Sequence, residues 1–125
     1  MRTIVSTPDA PRSIGPFSQA VKANGFIFVS GQVALDPATQ TVIDGDVSAQ
    51  TERILMNIKA ILAAAGSGLE HVVRSGVYLR NMGDFAAMNA VYATRSPGFT
   101  VVTSLPTLRT IPAASCPTVN GTCAG

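Results

Sequence analysis

A chain of 125 residues is the length of one domain, long enough to bury a core without disulfide or metal staples. Its hydrophobic fraction is 46% and its charged fraction 13%, about half the charge of an average globular domain, so much of a small surface is apolar and self-association is expected. The net charge is +2, and the nine cations are scattered from Arg2 to Arg109 without the basic stripe a phosphate backbone requires, which argues against nucleic acid as principal partner.

No apolar run approaches the roughly 20 residues of a membrane span. The segment Met1–Ser13 lacks the continuous apolar region of a secretory signal, and a cytoplasmic location is expected. Cys116 and Cys123 lie close together near the end, either as a disulfide or as two free thiols of a reducing compartment. With His71 as the only imidazole and far from both, they do not make a zinc site, and no metal is expected.

In chain order, Arg2–Ser6 reads as an edge strand that ends at the Pro8–Pro11 turn region. Ile14–Gln32 reads as a hairpin: Asn24-Gly25 tolerates the positive φ of a two-residue loop, and Phe17, Ala20 or Val21, Ile27 and Val29 supply apolar positions on pleated surfaces. Leu35–Gly45, with Asp36-Pro37 and Asp44-Gly45, is a loop, and Asp46 and Ser48 are candidate N-caps. Val47–Ala65 is the clearest helix. Ile54, Leu55, Ile58, Ile61 and Leu62 form one stripe on a 3.6-residue period, Glu52, Arg53, Asn57 and Lys59 fall mainly off it, and Gly66 and Gly68 end it.

Glu70–Leu79 then reads as a strand, and Asn81–Asp84 as a turn with Asp84 as N-cap. A second helix, Phe85–Thr94, presents Phe85, Met88, Val91 and Tyr92 on its apolar face. Residues 96–125 differ in character, with four prolines, much Ser and Thr, and no acidic residue after Asp84. Thr100–Leu105 and Leu108–Ala114 are candidate strands, although Pro112 cannot donate to a central ladder, and Asn120–Gly125 has the composition of a frayed tail. The order predicts a single α+β domain with both helices on one face of a sheet, and no repeat or second domain is visible.

Phosphate loops, G-x-S-x-G elbows and metal pairs are absent. His71 would have to serve any Ser-His-Asp triad, but its place just ahead of an apolar strand favours a surface or strand-edge role. Four blocks in order, IGPFSQA, FIFVSGQVALDPATQ, NIKAILAAAG and VVRSGVYLRNMGDFAAMNAVYA, make the chain resemble the Rid (YjgF/YER057c/UK114) family from about residue 3 to residue 94. The resemblance implies a chorismate-mutase-like α+β domain of mixed sheet, a homotrimer with clefts between subunits, and no cofactor. It implies hydrolysis of 2-aminoacrylate-type enamines and imines to 2-oxo acids and ammonia.

Carried over by position, the resemblance places Ser30 and Gly31 at the strand exit lining the cleft, where a glycine lets a ligand approach the backbone. Asn89 falls at the cleft-lining Asn, and Phe17 stands where many members have Tyr, keeping the apolar wall without the hydroxyl. Arg109, in Pro106-Thr107-Leu108-Arg109-Thr110, approximates the P-x-R-[ST] block with one extra residue, and its planar fork suits a substrate carboxylate. The family's Glu, about fifteen residues later, would fall near Ala124, where this chain has no acid. Water activation would then lack a group typically contributing ~10²–10⁴-fold, and the thiol of Cys116 or Cys123 is a poor replacement. The expected function is imine deamination, with a non-catalytic trimer that binds small metabolites or proteins as the alternative. A ribonuclease or translation-inhibitor role, attached to some members of the family, is disfavoured by the scattered charge.

Overall fold

The structure, a computed structural model, describes residues 1–95 and, as backbone, 100–104 and 122–124. The elements are β1 (Thr3–Val5), β2 (Ala20–Ala23), β3 (Phe26–Val29), α1 (Val47–Ala64), β4 (Arg74–Leu79), α2 (Phe85–Arg95), β5 (Thr100–Ser104) and β6 (Thr122–Ala124). This is the α+β class expected from the sequence. The strands bond as two three-stranded sheets: β1-β2-β3 is antiparallel, and β5-β4-β6 is parallel.

The Asn24-Gly25 loop has both residues at positive φ, 51° and 79°, and joins strands whose last pair is Ala23 with Phe26. That is the primed two-residue turn whose twist matches the flanking strands. The hairpin begins at Ala20 rather than Ile14, because Gly15 (φ 80°) and Pro16 interrupt the extended backbone ahead of it. Phe17 accordingly is not a sheet position and is exposed.

Helix α1 starts where the sequence places it: the Asp46 carboxylate accepts from the Ala49 N–H at 2.9 Å, while Ser48 lies inside the helix. It ends in a paired C-terminal motif, with Gly66 N–H on the Ala63 carbonyl and Ser67 N–H on the Leu62 carbonyl, and Gly66 at φ 86°. Its apolar stripe serves two cores. Ile54 and Leu55 pack with Val77, Leu79, Met88 and Tyr92, whereas Ile61 and Ala65 pack with Val5, Ala10 and Ala20. Because Val77 and Leu79 alternate along β4, both helices cover the same face of that strand.

Other expectations need correction. Residues 69–71 form a 3-10 turn, so β4 starts at Arg74 and not at Glu70. The side chain of Asn81, not Asp84, caps the turn before α2 by accepting from the Gly83 N–H at 2.9 Å. Phe85 is more exposed than an apolar-face position should be. Residues 100–104 form a strand as expected, and 122–124, read as part of a tail, pair in parallel with Val77–Leu79. A central strand with an open edge recruits backbone whatever the composition of the added segment. Leu108–Ala114 lies outside the described residues.

Asn57, placed off the stripe by periodicity, is wholly buried. Its Nδ2 donates to the Leu35 carbonyl at 2.9 Å, and its Oδ1 accepts from Arg53 Nε at 3.1 Å. Replacing it by an apolar residue of equal size leaves a buried carbonyl without its donor. Asn57→Leu is therefore expected to lower stability by about 1–3 kcal/mol, measured by urea denaturation. Tyr92 donates its phenol to Ser75 on β4, and burial raises its pKa while that bond lowers it. A pKa raised in the folded state gives stability that is present below pH about 10 and is lost as pH rises through the folded value. Tyr92→Phe should flatten the decline in melting temperature above pH 10, measured by thermal scans across that range.

Candidate functional site

The exit of β3 is joined back to the segment ahead of β2. The Ser30 N–H donates to the Gln19 carbonyl at 3.0 Å, extending the ladder beyond the Ala20–Val29 pair. The Ser30 hydroxyl donates to the Ser18 carbonyl at 2.5 Å. Gln32 reaches back from the other side, its Nε2 on the Ser30 carbonyl at 3.3 Å, so Gly31 is held between two anchored residues. These bonds bring Ser30 and Gly31 beside the segment that carries Phe17.

Phe17 projects into solvent with 71% of its surface exposed. One edge of its ring lies over Gly15, where an added Cβ would meet ring carbons at 3.6 and 3.8 Å. The arch 13–17 is thus a short exposed loop with Ile14 and Phe17 at its surface, tied down behind Ser18 and ahead of Ser13. The forward tie is the Arg12 N–H on the Gln40 side-chain carbonyl at 2.9 Å.

Gln19 was not a candidate on sequence, and it is the most heavily bonded side chain of this region. It is buried and accepts from the Thr7 N–H at 2.6 Å. Its amide nitrogen faces the carbonyls of Thr7 (3.0 Å), Ala10 (3.3 Å) and Pro11 (2.8 Å). The signal for it lies in the partner segment: Pro8 and Pro11 deny 7–11 a regular ladder, so its carbonyls need a donor from elsewhere.

The structure does not join every expected site residue. Asn89 is exposed on α2, one turn from Phe85 on the same face, and no hydrogen bond among the described residues connects it to the Ser30 group. Arg109 lies outside the described residues. No charged side chain occurs in 13–19, 30–32 or at 89, so a cation for an anionic ligand has to come from another segment. Among the described residues no group of three or more His, Cys, Asp or Glu is placed to hold a metal ion. His71 is exposed beside Glu70, 3.7 Å away, as a surface histidine is expected to be.

Two concavities among the described residues lie elsewhere. A groove of about 530 Å³ runs along the outer side of α1, lined by Met56, Lys59, Ser67, Leu69 and Arg95 among others. A second concavity of about 520 Å³ lies between α1 and α2 beside the Glu52–Arg95 ion pair. Neither includes Phe17, Ser30, Gly31 or Asn89.

Residues 7–120 match the family model described as Endoribonuclease L-PSP. A RutC family protein of Pyrococcus horikoshii is 50% identical over 93 residues, covering 74% of both chains. The chain belongs to the Rid family. A Rid relative from Mus musculus named 2-iminobutanoate/2-iminopropanoate deaminase is 41% identical over 98 residues, covering 78% of this chain and 73% of that one. The crystal structure of YyfA from Yersinia pestis, described as a Rid-family protein of unknown function, superposes with a TM-score of 0.84 at 28% identity, covering 90% of each chain. The fold and family expected from the four sequence blocks are therefore established.

Proposed function

We propose that this Rid-family chain binds small imines and their 2-oxo acid products, hydrolysing the imine to 2-oxo acid and ammonia. The observation that carries the reading is the bonded wall formed by Ser18, Gln19, Ser30 and Gly31, with Phe17 exposed beside it. The murine relative's name supplies the reaction class. In this reading Phe17, Ser30, Gly31 and Asn89 shape the binding surface, and Arg109 pairs with the substrate carboxylate. A cytoplasmic location and the absence of a cofactor belong to the same reading. No helix among the described residues is long and apolar enough to cross a membrane.

The assembly proposed is a homotrimer with the wall facing a neighbouring subunit, and the sheet β1-β2-β3 supports it. Pairing places Ile4, Val21 and Phe28 in one row and Ala23 and Phe26 in the next, all on the side away from α1. Ile4, Phe26 and Phe28 are more than half exposed, on a face where an antiparallel sheet normally turns polar side chains to water. The two concavities described above include none of the wall's residues, which fits a site that a second subunit completes.

A second reading is a trimer that binds such ligands with little or no turnover. It is favoured by the absence of any Asp or Glu beyond Asp84, where the water-positioning carboxylate of the deaminases would stand. The family model's endoribonuclease description does not fit this chain's scattered cations as well as either of these readings does.

Two experiments test these readings. Purified protein added to a threonine dehydratase reaction should accelerate 2-oxobutanoate formation, and Arg109→Ala should reduce that acceleration at least about tenfold. Calorimetric binding of 2-oxobutanoate without acceleration supports the second reading, and neither binding nor acceleration overturns both. Light scattering should give a trimeric mass for the parent and a smaller one for Phe28→Glu, which places a charge on the apolar face. A monomeric parent would contradict the assembly.

A further inference from the structure

We infer that Gln19 is a positioning residue for the ligand-binding wall, acting through Phe17 and Ser30 without touching the ligand. The inference rests on the proposed role of Phe17 and Ser30, and it assigns to Gln19 what holds them in place.

The arch 13–17 carries no ladder of its own. Its side chains Ile14 and Phe17 stay largely exposed and join no core cluster, so its shape depends on what grips its two ends. Gln19 grips both. Its side chain binds Thr7, Ala10 and Pro11 on the chain leading into the arch, while its own carbonyl accepts the Ser30 N–H at the far end. One residue therefore connects the strand exit, the chain after the arch and the chain before it. The amide has two N–H donors for three carbonyls at 2.8–3.3 Å, and its oxygen takes the Thr7 N–H at 2.6 Å. No other neutral side chain of this size supplies both an acceptor and two donors.

A carboxylate in its place keeps size and the Thr7 N–H bond. It also turns lone pairs toward three carbonyls that have lost their donor. The expected result is release of the arch with the hairpin intact, since the β2–β3 bonds do not pass through the Gln19 side chain. An apolar wall contributes equally to binding substrate and transition state, so loosening it raises KM and leaves kcat nearly unchanged.

The test uses the full chain with Gln19→Glu, reading amide hydrogen exchange by mass spectrometry together with KM and kcat for imine released by a dehydratase. Exchange at the Arg12 and Ser30 N–H groups, which are bonded at the two ends of the arch, should rise about tenfold while the amides paired within β2 and β3 keep the parent's protection. KM should rise about tenfold with kcat within about twofold. If Gln19→Glu does not fold, Ser30→Ala, which removes one bond at the other end of the arch, is expected to give the same local exchange. Unchanged exchange at Arg12 and Ser30, or loosening spread over the whole chain with KM unaltered, would overturn the inference. If the parent neither hydrolyses imine nor binds 2-oxobutanoate, it is the deaminase reading that fails, and the exchange data alone then decide whether Gln19 orders the arch.

Discussion

One helix has to be buried twice. The stripe on α1 runs from Ile54 to Ala65, and its two halves face different sheets, the first against β4 and α2 and the second against β1 and β2. Among the described residues neither sheet has another helix as long as α1 to cover it. This dependence explains why polar groups along α1 are held so closely. Asn57 is fully enclosed, and it ties the helix by the Leu35 carbonyl to the loop that follows the strand exit. The position of Ser30 and Gly31 relative to the cores is thus set by the helix as well as by the hairpin.

The relation between sequence and structure follows what each signal measures. Periodicity reports which side chains are apolar, and it located α1 and α2, whereas the face of β4 beneath them, Val77 and Leu79, emerged only from the packing. Local turn chemistry reports backbone preference, and it located the Asn24-Gly25 loop, the Asp46 cap and the Gly66 terminus. Neither signal reports a buried amide. Asn57 and Gln19 look like surface residues until the carbonyls they serve are known, and those carbonyls belong to Leu35, Thr7, Ala10 and Pro11, at least eight residues away. Phe17 misled for the opposite reason. It is apolar and lies near a strand, but Gly15 and Pro16 take its backbone out of the sheet.

The candidate site was legible as a set of positions through the family's four blocks, and only part of that set lies together in the structure. Ser30, Gly31 and Phe17 are joined through backbone carbonyls, an arrangement that no residue pattern displays. Asn89 stands alone on α2, and the cation that a carboxylate ligand would need is not among the described residues of the wall. The separation is physical: the wall is built from one antiparallel sheet, while α2 belongs to the other core, on the far half of α1.

The outer face of the first sheet bears on how the hairpin finds its pairing. In most antiparallel strands a slip of one residue is penalised because it carries the apolar set into water. Here β3 reads Phe26, Ile27, Phe28, Val29, apolar on both sides, so a slipped strand would still offer α1 two large hydrophobic side chains. The hydrophobic pattern cannot choose between the two alignments. That choice falls to Asn24-Gly25, whose two positive φ angles favour one loop length and one pairing, and to the Ser30 bonds at the opposite end, so the register is guarded at the two ends of the hairpin and not along its strands.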